Sequence, residues 1–350
     1  MKKLLLSVLA ISALVACSKS DVIEMPQSQA IKFGSAFVDN STKAIDPTWQ
    51  HTVDGALFKV WGKLSTTNGS TNIFSGVDVT KSGTGIGNTW YYSEDKVQYW
   101  IPSVNYSFAA IAGTTSSVDA DADGMPATIS YDAATQSDLL YASATATGKT
   151  SANQEVKFTF SHLLSRAQFK FVNAYPEQSN LYIKVSDINI IDSYKSGSYN
   201  ISSKTWTATD NSYDLVFGNG VKSNEKNDNV DPIYVGSNKA CYSNKVGLLV
   251  PATYDKDNAT TDKPEFKLSF KVEVFLKQVI AGVTKYTQID ALTQDFTTDN
   301  LVPDGTLTFN NNCSYNFVIT VGENDLEPIK FGLEKVEYWT PTTPDTNIGI

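Results

Sequence analysis

From Phe266 to Val274 the chain alternates without a break, with Phe266, Leu268, Phe270, Val272 and Val274 at one parity and Lys267, Ser269, Lys271 and Glu273 at the other. Successive side chains of a β-strand point to opposite sides, so this stretch sets an apolar face against a core and a polar face toward water. The same period recurs at Val156, Phe158 and Phe160, and again at Ala167, Phe169 and Phe171. Val246 to Val250 reads as a buried strand stopped by Pro251. Final strands are expected over Ser314–Val321 and Ile329–Trp339. Nowhere does a helical period with caps emerge. The chain is therefore expected to be all-β, built from antiparallel sheets packed as sandwiches.

The chain begins differently. Lys2 and Lys3 precede an apolar run from Leu4 to Ala16, well short of the about 20 residues needed to span a bilayer. With small Ala16 before Cys17, residues 1–16 read as a secretory signal. Leu14-Val15-Ala16-Cys17 also resembles a lipobox, the pattern at which bacterial lipoproteins are cut and the new N-terminal Cys is acylated. Acylation of Cys17 would supply about 0.8 kcal/mol of membrane affinity per buried CH₂. Residues 17–30 are polar and form a tether. Ile31–Val38 then reads as the first strand, with Ile31, Phe33 and Phe37 as its apolar side chains and Gly34 interrupting the pattern. Behind it, Asp39-Asn40-Ser41-Thr42-Lys43-Ala44 is a small polar loop that a protease could reach at Lys43.

The formal charge of -9 argues against a nucleic-acid partner, which would demand a basic face. With 350 residues, 17 Tyr, 17 Phe and 6 Trp, the chain has material for two cores. The expected division is residues 31–157 and 158–350. Cys241 and Cys313 fit either a disulfide or two separate buried thiols.

Few residues suggest chemistry. Asp119, Asp121 and Asp123 before Gly124 match the start of a calcium loop, but the twelfth position is Ser130 where a bidentate Glu belongs. The other reading is an acidic turn between strands. Gly83 to Asn88 lacks the Lys-Ser/Thr of a phosphate loop. His162 and His51 are the two histidines, and no nucleophile or orienting acid is marked beside either. His162 is expected to cap a hydrogen-bond network at a strand end. Trp90, Tyr91, Tyr92, Tyr99 and Trp100 could form a sugar-stacking platform or belong to the core. No enzyme site and no cofactor are expected.

The block from Val156 to Val172, with Asp138-Leu139-Leu140-Tyr141-Ala142 before it, resembles the signature of the fimbrillin-like proteins, the Bacteroidales lipoproteins that include type V pilins. Phe33 followed by Thr42-Lys43-Ala44, Trp49, Asp54-Gly55 before Phe58-Val60-Gly62, and Tyr315-Phe317-Ile319-Val321-Gly322 with Trp339 extend the similarity along nearly the whole chain. The resemblance implies two transthyretin-like sandwiches in tandem and a surface lipoprotein anchored in the outer membrane. It also implies assembly with other fimbrial subunits and adhesion to a host or bacterial surface ligand. In polymerising members, a cut after a basic residue frees the first strand and a strand of the next subunit takes its place. Here the cut would follow Lys43, where the best-known members have Arg, and the strand lost would be Ile31–Val38. The donor would come from Ile329–Ile350. The alternative is a surface glycan-binding lipoprotein.

Overall fold

A computed structural model describes residues 29–38, 57–81, 84–113, 115–149, 154–218, 221–222, 233–256, 263–298, 305–322 and 329–338. The first half carries β1 (Lys32–Val38), β2 (Leu57–Thr66), β3 (Gly69–Thr80), β4 (Asn105–Gly113), β5 (Ser117–Ala120), β6 (Pro126–Asp132), β7 (Leu139–Thr147) and β8 (Glu155–His162). The second carries β9 (Ser165–Asn173), β10 (Leu181–Ser193), β11 (Ser196–Asn200), β12 (Thr205–Thr209), β13 (Tyr213–Val216), β14 (Val221–Lys222), β15 (Ala240–Ser243) and β16 (Gly247–Leu249). It continues with β17 (Thr253–Asp255), β18 (Lys267–Ile280), β19 (Val283–Thr297), β20 (Thr306–Thr308), β21 (Cys313–Val321) and β22 (Ile329–Tyr338). The protein is all-β, and no helix among the described residues is long and apolar enough to cross a membrane.

One sheet runs β1-β8-β7-β4-β2-β3 and a second β12-β11-β6-β5. The first sheet is covered on both faces, which is why β4 reads as a near-continuous apolar run rather than an alternating one. Phe108 and Ala110 face a core with Phe58, Val60, Phe74 and Phe158. Ala109 and Ile111 face the other way, into a cluster with Trp61, Ile129, Tyr131 and Tyr199.

In the second half, β13-β10-β18-β19 and β14-β15-β9-β21-β22, with β16 also on β9, enclose one core. Alternation delivers it. Phe266, Leu268, Phe270, Val272 and Val274 are buried, as are Phe169, Phe171, Phe317 and Ile319.

Three features lay beyond the periodicity. Two pairs run parallel, β1 with β8 and β9 with β21, among otherwise antiparallel neighbours. The hairpin β11–β12 comes from the second half of the sequence but joins β6 of the first. The chain crosses between the large sheets at Leu163-Leu164, so β8 lies in the first sheet through His162 and residue 157 falls inside it. Trp206 Nε1 donates to the Leu163 carbonyl at 2.7 Å, and Gln136 and Leu248 exchange two hydrogen bonds at 2.9 and 3.0 Å. The two halves are thereby joined by backbone-directed bonds as well as by apolar packing.

Candidate functional site

The first strand occupies a slot with two walls. On one side β1 runs parallel to β8, pairing Lys32 with Glu155 and Phe33 with Val156. On the other, residues 86–100 lie across it. Ile31 N donates to the Gln98 carbonyl at 2.8 Å, and Trp100 N donates to the Gln29 carbonyl at 2.9 Å. Tyr92 Oη donates to the Ile31 carbonyl at 2.7 Å. Backbone bridges link Ala30 to Tyr99 and Phe33 to Trp90. Although β1 ends the sheet order, the chain from Gln29 to Phe33 that leads into it also finds backbone partners on its outer side.

Phe33 anchors the strand. It is 0% exposed, and its ring lies 5.5 Å from Phe74 and from Tyr92, 5.9 Å from Phe158 and 6.3 Å from Phe108. Edge-on, tilted and stacked aromatic contacts of this kind add to the area buried. Ile31 is buried beside it.

The slot has a polar rim. Asn88 Nδ2 donates to Glu155 Oε1 at 2.6 Å and Lys32 Nζ donates to Asn88 Oδ1 at 3.2 Å. Gly34 sits under this pair. A Cβ there would lie 2.6 Å from Glu155 Oε2 and 3.2 Å from Glu155 Cβ, so a side chain would push the carboxylate off Asn88. The glycine that interrupts the apolar pattern thus marks a close approach.

Burial pushes the Tyr92 phenol up from 10.0 to about 12, so it remains a donor to Ile31 into the alkaline range. Tyr92→Phe is expected to lower stability by about 1 kcal/mol through the unpaired carbonyl. A raised folded value favours the neutral form, so this contribution is complete below about pH 10 and lost as pH climbs toward 12. The gap between the two proteins' unfolding midpoints should therefore stay constant from pH 6 to about pH 9 and close above it.

The other sequence candidates fall in different places. Cys17 and Lys43 lie outside the described residues. The alternation of Ile31, Phe33 and Phe37 meets a register shift between Phe33 and Ala36. Beyond it Ala36 pairs with buried Phe158 and Val38 with buried Phe160, while Phe37 pairs with exposed Thr159.

The aromatic platform is not one. Trp90, Tyr92 and Trp100 are buried in the first core, leaving Tyr99 as the exposed ring of the five and Tyr91 in between. They form no regular strand either, because a short 3-10 turn at Glu94–Lys96 and isolated bridges carry them over the slot.

The acidic stretch is occupied by protein groups. Asp123 accepts from Lys63 Nζ at 2.5 Å and from Ser70 Oγ at 2.6 Å, which holds its carboxyl below the usual range. Asp121 Oδ1 accepts from the backbone N–H groups of Asp123 and Met125, each at 2.9 Å, closing the turn between β5 and β6. Asp119 lies in β5, and the described residues hold no cluster suited to a metal. Calcium up to millimolar concentration is expected to leave the melting temperature unchanged, whereas a rise would show a cation bound to the folded state.

His162 is fully buried at the end of β8 with Nδ1 2.8 Å from Asp138 Oδ2. Asp138 is an acid that spacing did not reveal, because it lies 24 positions before His162. The pair braces the start of β7 against β8 beside the crossing, where Leu163 N donates to the Leu139 carbonyl at 2.8 Å. Cys241 and Cys313 are separate buried thiols, and burial pushes Cys241 up to about 12. The pairings of Tyr92 with Ile31, of Asn88 with Glu155 and of Asp138 with His162 are what sequence reasoning missed, because each joins residues distant along the chain.

A profile described as fimbrillin-like matches residues 42–335. The chain belongs to the fimbrillin-like family. This is a family of structural proteins rather than enzymes. Among solved structures, a fimbrial protein from Bacteroides vulgatus is similar at 17% identity with a TM-score of 0.59, over 89% of this chain and 99% of that one. A candidate cell adhesion protein from Bacteroides uniformis is 15% identical with a TM-score of 0.47, over 90% and 98% of the two chains. No curated protein matches the chain. The Bacteroides vulgatus structure shares the fold along its length. The profile starts after β1, so the slot's own strand lies outside the matched residues.

Proposed function

We propose that this fimbrillin-like chain is a structural subunit of a cell-surface fimbria that supports adhesion and assembles by strand exchange. The observation that carries the reading is the seating of β1. A short N-terminal strand supplies Phe33 to the middle of an aromatic core, and it is held by backbone and side-chain hydrogen bonds and by packing. Any extended segment of similar pattern could make the same bonds, with main-chain pairing giving affinity and alternate side chains giving register. In this reading Cys17 is acylated and tethers the precursor to the outer membrane. A cut after Lys43 then separates β1 from the body, and a C-terminal segment of another subunit replaces it. A stalk subunit would lose its lipid by that cut, whereas an anchor would keep it. The partners are other fimbrial subunits and a surface ligand, with no nucleic acid among them.

The burial of Trp90, Tyr92 and Trp100 favours this reading over a glycan platform, to which only Tyr99 and the half-buried Tyr91 of the five would remain available. The experiment is limited digestion of the full chain with a Lys-specific protease. A nick after Lys43 should be followed by a ladder of multimers on a gel. A chain nicked there that stays monomeric at high concentration overturns strand exchange.

A further inference from the structure

The tetrapeptide Ile-Lys-Phe-Gly occurs twice, as Ile31-Lys32-Phe33-Gly34 and as Ile329-Lys330-Phe331-Gly332. Both copies sit at the beginning of a strand, and both strands end a sheet. The first opens β1, beside β8, and the second opens β22, beside β21. Each strand also carries one extra residue relative to its neighbour shortly after the shared segment. In β1 it falls between Phe33 and Ala36, and in β22 the register shifts where Leu333 faces Phe317 and Lys335 faces Asn316.

The slot around β1 uses each of the four residues. Ile31 is buried and bonded through its backbone to Gln98 and Tyr92. Lys32 reaches Asn88 on the rim. Phe33 fills the aromatic cage of Phe74, Tyr92, Phe108 and Phe158. At Gly34 a Cβ would come within 2.6 Å of Glu155 Oε2, so the Glu155 side chain would have to move.

We propose that the C-terminal donor of a second copy enters the vacated slot in one register, with its Ile329, Lys330, Phe331 and Gly332 taking the places of Ile31, Lys32, Phe33 and Gly34. The inference rests on the strand-exchange reading above, with its C-terminal donor, and adds to it the register and a close approach at one position. A strand shifted by one residue would set Phe331 or Leu333 where Gly34 passes Glu155, and the crowding there disfavours it. The latch of Lys32, Asn88 and Glu155 is remade by Lys330. The precursor strand thus holds the slot in the shape that the donor needs.

The test uses the full chain, nicked after Lys43 and left to associate. With Lys330→Cys on one strand and Glu155→Cys on β8, oxidation should cross-link neighbouring subunits, because the register places those positions side by side as Lys32 and Glu155 are now. The pair Lys330→Cys and Lys157→Cys should stay unlinked. Gly332→Val should slow multimer growth by about tenfold or more, as an overpacked site does. A β-branched residue suits an edge strand, so the monomer's melting temperature should hold. Adding Glu155→Ala, with Glu155→Ala alone as reference, should restore the rate, and this rescue is not expected of a residue that serves only its own monomer. Multimers that link through Lys157→Cys, or that grow at the parental rate with Gly332→Val, overturn the register and leave strand exchange standing. A nicked parent that forms no multimers overturns both.

Discussion

Replacing Phe33 with alanine is expected to lower the stability of the domain holding β1 by about 3–5 kcal/mol, the range for a large aromatic removed from a closed core. Phe33 is wholly buried, and four rings within 6.3 Å would lose a partner together. Because the slot is part of the core, the cavity cannot collapse without shifting β8 or residues 86–100. A midpoint shift of about 2–4 °C per kcal/mol puts the change within easy reach of calorimetry. A loss under about 1 kcal/mol would mean that β1 is packed loosely and that the slot is not a core site.

Deleting Ile31–Val38 is expected to act more strongly. The deletion uncovers the faces of Phe74, Phe108 and Phe158 and leaves the β8 backbone from Glu155 to Phe160 unpaired along one side. Exposed apolar surface beside an open strand edge is a template for another chain. The shortened protein should bind a hydrophobic dye and associate, and added peptide of the sequence Ile31–Val38 should suppress both. A compact monomer that neither binds dye nor associates would show that the body closes over the slot by itself.

Much of the architecture was legible because alternation is a local property. Phe266 to Val274 states in nine residues which face is buried, and β9 and β21 do the same. The strand β4 was readable as a strand, though its two-faced burial depends on a second sheet that arrives from β11 and β12, some 90 residues later. Parallel pairing of β1 with β8 joins segments more than 120 residues apart and leaves no trace in the period of either. The aromatic residues from Trp90 to Trp100 misled for a related reason. Their spacing suits a strand surface, but bridges to Gln29, Ala30 and Ile31 fold them inward as the lid of the slot. Gly34 was visible as an interruption. Its reason, the Glu155 carboxylate a few ångströms away, was not.

The most direct test of the central claim is the mass of the subunits inside multimers grown from the nicked full chain and washed free of released peptide. If one strand replaces another, those subunits begin at Ala44 and the peptide bearing Ile31–Val38 is found in the wash. Multimers whose subunits still hold that peptide would contradict the account, because association would then have left the original strand in its slot.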